Sequence, residues 1–385
     1  MAQIDGATSR FLDATRWMAA VAVVVSHASA LMIGPGSGWG DEVLRYLQNC
    51  GHLAVVIFFV VSGYLVGGLE LLRVMDGRGF DPWRYAVQRF SRIYTVLVPA
   101  LVLTAVFDGF GRRVFNASAL YTDPSVQRVG SLMYAIAERD DAGTFLGNLL
   151  MLQTVVVEPF GGNGPLWSLA NEWWYYVAFG LFLVAMCAGS RPGRVAALGG
   201  GLLLLGVLPV SISVWFAIWL LGVGAALVGR RWRGLAAGRA GLVMWVGFAA
   251  ALLGMRFDPM LVVWPGPVQV AAKLGIDAVA GVAFAVGLLS ARNGGVGGAR
   301  LHAALAGFSY TLYAVHFPAL VLFGAAAHDL LGLRFNQALG VGSLVAVGAL
   351  SLAIWAFAWG FAQLTERRTP VVRGWLMRLA PRGVA

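Results

Sequence analysis

Between Arg194 and Arg230 the chain runs for 35 residues without a charged or imidazole side chain, and between Arg334 and Glu366 for 31. The hydrocarbon core of a bilayer takes roughly 20 residues of helix to cross. A water-soluble domain has no comparable place for runs of this length. Composition agrees: 59% of the 385 residues are hydrophobic and 12% charged, against about 45–50% and about 25% in a soluble domain. These figures exclude a soluble α/β enzyme, a disordered chain and a disulfide-stapled secreted module. The runs are continuous, not alternating, which excludes a β-barrel.

The expected fold class is therefore all-α, a polytopic membrane protein of about ten transmembrane helices forming a single domain over residues 1–385. Apolar runs place the helices near 12–33, 52–72, 92–110, 166–188, 194–210, 211–229, 240–256, 268–290, 301–325 and 338–363. Only Pro209 separates the fifth from the sixth, so those two also read as one broken helix. The segment up to Ala30 reads as a membrane anchor and not as a cleaved leader, because Asp13, Arg16, Ser26 and His27 interrupt its apolar run.

The net charge of +10 follows from topology and does not call for a nucleic-acid partner. With the N-terminus in the cytoplasm, twenty of the 28 basic residues fall in segments on the inner side. The positive-inside rule thus predicts both termini in the cytoplasm, and the cytoplasmic (inner) membrane as the location. Cys50 and Cys187 form no motif and fall on opposite faces. No metal site is expected. One segment, 111–165, is far longer than the other loops and reads as extracytoplasmic; its apolar stretch Phe145–Val157 is too short to span and reads as a re-entrant or interfacial helix.

Titratable groups inside a span are costly and are functional candidates by default. On the first helix Arg16 and His27, eleven residues apart, lie on one face, with Asp13 one turn from Arg16. On the second, Phe58–Tyr64 contains Ser62-Gly63, a pair suited to close helix approach. Arg84, Arg89 and Arg92 stand just before the third helix, and arginine forks bind phosphate bidentately. The fourth helix opens Trp167-Ser168-Leu169-Ala170-Asn171-Glu172 and continues through Tyr175 and Tyr176. The ninth places Ser309, Tyr313 and His316 on one face, above Pro318. His52, His302 and His328 read as unremarkable residues at helix ends.

Six ordered segments resemble the membrane-bound acyltransferase 3 family. Leu12-Asp13 with Arg16, Ala19 and His27 matches its N-terminal pattern, and Phe58–Leu65 its F-F-V-x-S-G-[FY]-L. Arg89–Ile93 matches R-x-x-R-I, Trp167–Tyr176 matches W-S-L-x-x-E-x-x-[FY]-Y, and Ser309–Pro318 matches S-Y-x-L-Y-x-x-H-x-P. A late glutamate before a proline appears as Glu366 and Pro370. Two positions depart from the pattern: Thr95 stands where a proline often follows, and Trp17 replaces a small residue.

The resemblance implies an integral-membrane O-acyltransferase. It would move an acyl group, acetyl by family habit, from cytoplasmic acyl-CoA to a hydroxyl of a cell-envelope or exported glycan, or of a macrolide-like molecule. It implies catalytic roles for His27 as general base and for Arg16, and phosphate-binding roles for Arg89 and Arg92. Ser62 is placed with the CoA site; Asp13, His316, Tyr313 and Trp167 with the substrate. Glu172 either orients His27, as the third member of a triad does, or holds the acceptor. Direct transfer and an acyl-histidine intermediate both remain open. No tightly bound cofactor is expected; acyl-CoA, the acceptor and the bilayer are the expected partners. The oligomeric state is open. Two rival readings are a proton-coupled transporter using the intramembrane His and Glu, and a haem protein with iron between His27 and His316.

Overall fold

A computed structural model describes residues 5–34, 39–123, 126, 135–232, 234, 236–256, 266–293 and 296–379. Among these residues the fold is helical throughout, with two isolated bridges and no strand. The helices are α1 (Gly6–Met32), α2 (Trp39–Ser62), α3 (Leu69–Met75), α4 (Pro82–Val114), α5 (Ala142–Leu149), α6 (Trp167–Cys187) and α7 (Arg191–Val207). They continue with α8 (Val210–Gly229), α9 (Ala237–Arg256), α10 (Gly266–Ser290), α11 (Ala299–Ala306), α12 (Ser309–Leu331), α13 (Val341–Leu364) and α14 (Thr369–Arg378). A π-helical stretch, Gly63–Gly68, joins α2 to α3 without a break.

Eight of the helical segments are long and apolar enough to cross a membrane, so the protein is a multi-pass membrane protein. Each of the ten expected runs contains a helix. Two fall outside the eight: α6, whose first two turns carry Ser168, Asn171 and Glu172, and α7, which has 17 residues. Pro209 separates α7 from α8 and takes the N-cap position of α8, so the fifth and sixth runs are two helices.

Three boundaries differ from expectation. The third helix starts at Pro82, which puts Arg84, Arg89 and Arg92 inside it. Asp81 accepts a hydrogen bond from the Arg84 amide at 2.9 Å, so an Asp-Pro pair caps the helix in the usual N1-proline manner. The expected helix at 301–325 is two helices: α11 ends at Ala306, and α12 begins at Ser309 after Phe308 leaves the helical region at φ −132°, ψ 10°. Of Phe145–Val157 only the part up to Leu149 is helical, capped by Asp141, whose side chain accepts from the Gly143 and Thr144 amides. Those bonds, with the Thr144 hydroxyl first, hold the Asp141 carboxyl below its ordinary pKa.

The described chain divides into two compact units. The first comprises residues up to 19, 52–86 and 171–306. Here the π stretch packs on α8 through glycines: a Cβ at Gly63 would fall on the Trp219 carbonyl, and one at Gly222 on the Val60 carbonyl. The backbones touch because neither residue has a side chain, which is the small-residue packing expected between membrane helices. Replacing Gly63 by valine should therefore cost about 3 kcal/mol or more through overpacking. Gly224, which has open space beside it, should accept alanine within about 0.5 kcal/mol. Thermal unfolding of the detergent-solubilised variants compares the two, and equal melting temperatures would refute the contact. The second unit comprises 20–51, 87–170 and 307–385. Its buried centre is α12, from Thr311 to Leu322.

Candidate active site

The second unit brings His27, His316, Tyr313 and Ser168 into one connected group. His27 Nδ1 lies 2.9 Å from His316 Nε2, and the rings stack at 5.1 Å with 9° between their planes. His316 is fully buried, and its Nδ1 lies 2.7 Å from the Tyr313 carbonyl oxygen. A carbonyl can only accept, so His316 Nδ1 carries the proton and Nε2 of the neutral ring is an acceptor. His27 Nδ1 must then donate to it, and the lone pair of neutral His27 is placed on Nε2. Phe317 packs edge-on against the His27 ring at 5.0 Å. Below the pair, the Tyr313 hydroxyl donates to the Pro165 carbonyl at 3.1 Å and meets Ser168 Oγ. Trp167 stands at the start of α6 beside Ser168.

The helix that carries His316 contains Pro318, which has no N–H to offer the Ala314 carbonyl. Asn163 supplies the missing donor: its Nδ2 reaches Ala314 O at 2.9 Å and Thr104 Oγ1 at 3.1 Å. Asn163 belongs to the glycine-rich turn before α6. That turn is held in place by buried Asp108, which accepts from the Gly162 amide at 2.7 Å. Tyr121 is also buried here, and desolvation together with the Asp108 charge raises its phenol above the ordinary tyrosine range. Asp108 and Asn163 were not singled out from the sequence. The signal available was an aspartate inside a span and a proline in a helix whose freed carbonyl requires a donor.

The arginines lie at the start of α4. Arg92 Nη1 pairs with Glu366 Oε1 at 2.7 Å, and its guanidinium lies over the Tyr310 ring, 5.0 Å from the centroid. Glu366 Oε2 accepts from the Thr311 amide at 2.9 Å and from the Thr311 hydroxyl at 3.0 Å. Arg89 donates to Gln88 at 3.0 Å. Arg373 of α14, which the sequence reading did not select, donates to Ser91 Oγ at 3.4 Å and interacts electrostatically with both Arg89 and Arg92.

The first unit holds the other expected residues. Asp13 and Arg16 form an i,i+3 pair at 3.7 Å. The bulky Trp17 beside them has a partner, donating from Nε1 to His302 Nδ1 at 2.9 Å. Ser62 and Glu172 are joined through Tyr176: the Trp219 indole donates to Ser62 Oγ at 3.1 Å, Ser62 meets the Tyr176 hydroxyl at 3.0 Å, and that hydroxyl donates to Glu172 Oε1. A carboxylate only accepts, so each proton in this chain points toward Glu172. His52 is not at a helix end. It lies within α2 and bonds buried Asp277 of α10 at 2.7 Å.

A many-helix membrane protein in which a partly buried histidine is hydrogen-bonded to a fully buried one is the class that this fold and site define. Comparison with known proteins supplies the family. The acyltransferase 3 family model, described as an acyltransferase domain, matches residues 9–363, and the chain belongs to that enzyme family. It is 28% identical over 214 residues to a protein named O-acetyl transferase from Shigella phage Sf6. That match covers 55% of this chain and 58% of the phage protein. It is 27% identical over 387 residues to acyltransferase MdmB of Streptomyces mycarofaciens, covering 90% of this chain and 87% of that one. No solved structure matches.

Proposed function

We propose that the protein is an integral-membrane O-acyltransferase that moves an acyl group from acyl-CoA to a hydroxyl of a cell-envelope or exported glycan, with His27 as general base. What carries the reading is the chain from His27 through His316 to the Tyr313 carbonyl. It fixes the tautomer of His27 as the buried aspartate does in a serine-protease triad. In the step proposed, His27 Nε2 takes the proton of the acceptor hydroxyl as its oxygen attacks the thioester carbonyl. The C–S bond then breaks, and the leaving thiolate takes that proton back. Glu172 is not required as the orienting group, because His316 fills that place at Nδ1.

Arg89 and Arg92, joined by Arg373, are assigned to the phosphates of CoA, which arrive from the cytoplasm; Arg92 is steadied for this by Glu366. Both chain termini are placed in the cytoplasm and the protein in the inner membrane, from the arginine distribution. Arg16 keeps its proposed catalytic role, Ser62 its proposed place in the CoA site, and Asp13 and Trp167 their proposed substrate contacts. The names of the relatives, an O-acetyl transferase and an acyltransferase, favour this reading.

The test is transfer of a labelled acyl group from acetyl-CoA or hexanoyl-CoA to an envelope glycan extract by the purified protein. His316→Phe keeps the ring contact and removes the acceptor for His27 Nδ1–H. It should lower kcat on the order of 10²-fold with little change in KM, less than the roughly 10⁴-fold seen when a triad aspartate is replaced. The pH–rate profile should move with it, which a merely structural role would not produce. An unchanged kcat would remove His316 from the mechanism, and absence of any acyl transfer would overturn the assignment.

A further inference from the structure

A cleft of about 210 Å³ in the second unit is lined by Val21, Val24, Leu312, Ser351, Leu352 and Trp355. Val24 lies one turn before His27 on α1, and Leu312 one turn before His316 on α12. Side chains on a helix lean toward its N-terminus, so both histidines lean over the turns that line this cleft. On its other side α12 leads to the arginines: Tyr310 lies under Arg92, and Thr311 binds Glu366. Along α12 the cleft's Leu312 thus comes after Tyr310 and Thr311, which meet the proposed phosphate site, and before His316, the partner of the proposed base. The cleft walls are apolar except for Ser351, whose buried Oγ makes no hydrogen bond among the described residues.

We infer that this cleft holds the acyl chain of the donor and selects a chain longer than acetyl. The inference rests on the proposal that acyl-CoA is the donor. An apolar cavity of roughly 150 Å³ takes up benzene, so the present one has room for a linear chain on the order of six carbons. Acetyl would leave most of it unfilled. Each buried methylene is worth about a fourfold gain in binding. Four more of them, even only partly buried, should give hexanoyl-CoA at least a tenfold lower Kd than acetyl-CoA.

The experiment measures calorimetric binding of CoA, acetyl-CoA, hexanoyl-CoA and palmitoyl-CoA to the full chain in nanodiscs. Leu352 is 69% exposed at the mouth of the cleft, so Leu352→Trp should fold and obstruct it. Val24→Phe fills it from within. Either should bring the acetyl-to-hexanoyl ratio toward one. Leu331→Trp, 82% exposed at the far end of α12 and nineteen residues beyond Leu312, should keep the ratio. Equal binding of acetyl- and hexanoyl-CoA would overturn the inference and leave the donor reading standing. A preference that survives both obstructing variants, or keeps rising to palmitoyl, would place the chain in the bilayer and overturn it too. Absence of binding by every CoA species would overturn the donor reading itself, and the inference with it.

Discussion

Replacing His27 by glutamine should lower kcat for acyl transfer by about 10²–10⁴-fold, the usual contribution of a positioned general base. An amide can still donate toward His316 but cannot take a proton from a hydroxyl near neutral pH. KM for acyl-CoA should change little, because the phosphates are held elsewhere, at Arg89 and Arg92. Thermal stability should stay within about 1 kcal/mol, the net worth of one hydrogen bond. His27 is only partly buried, on a helix whose other contacts remain. Rapid-quench measurement of a single turnover separates chemistry from binding. A rate within a few-fold of wild type would rule out His27 as the base. A burst of acyl-enzyme in the wild type that is lost in the variant would favour a covalent role at the same residue.

Replacing Glu366 by alanine should destabilise the protein by about 3 kcal/mol, the lower part of the range for breaking a buried ion pair. The carboxylate is 4% exposed and the guanidinium of Arg92 33%, so water offsets part of the loss on the arginine side. The remainder comes from Thr311. Its amide is the third N–H of α12, one of the four that no helix carbonyl can satisfy, and Glu366 accepts from it at 2.9 Å. Removing the acid strips a cap and a favourable charge from the N-terminus of the helix that carries His316. Glu366→Gln, which keeps an acceptor but loses the charge, should fall between. The midpoint of thermal unfolding in detergent reads both, and an unchanged midpoint for the alanine variant would show that the pair contributes nothing.

The helix-face arithmetic carried a good part of the site. Spacing alone placed Ser309, Tyr313 and His316 on one face, and the Tyr313 and His316 rings lie 5.8 Å apart on α12. Spacing also put Ser62-Gly63 at a close approach, and Gly63 does meet the α8 backbone. What escaped was punctuation within apolar runs. Gly307 and Phe308 end one helix and begin the next, yet both are compatible with a continuous span. The start of α4 was legible in Asp81-Pro82 and was obscured by the arginines that follow, which look like loop residues when only hydropathy is read. His52 looked bland because its partner, Asp277, is 225 residues away.

The sequence by itself determined that the chain must be helical and cross a membrane several times. Unpaired backbone polar groups are too costly in hydrocarbon for any open alternative, and these apolar runs leave no soluble one. It also determined the residue types available for chemistry. Only the tertiary structure decided how those residues act. The tautomer of His27 depends on His316 and on a carbonyl three residues before it; the cap of α12 depends on Glu366; and the carbonyl freed by Pro318 is satisfied by Asn163. Hydrogen bonds are directional and reach about 3 Å, so a pattern read along one helix cannot say which distant donor or acceptor will arrive there.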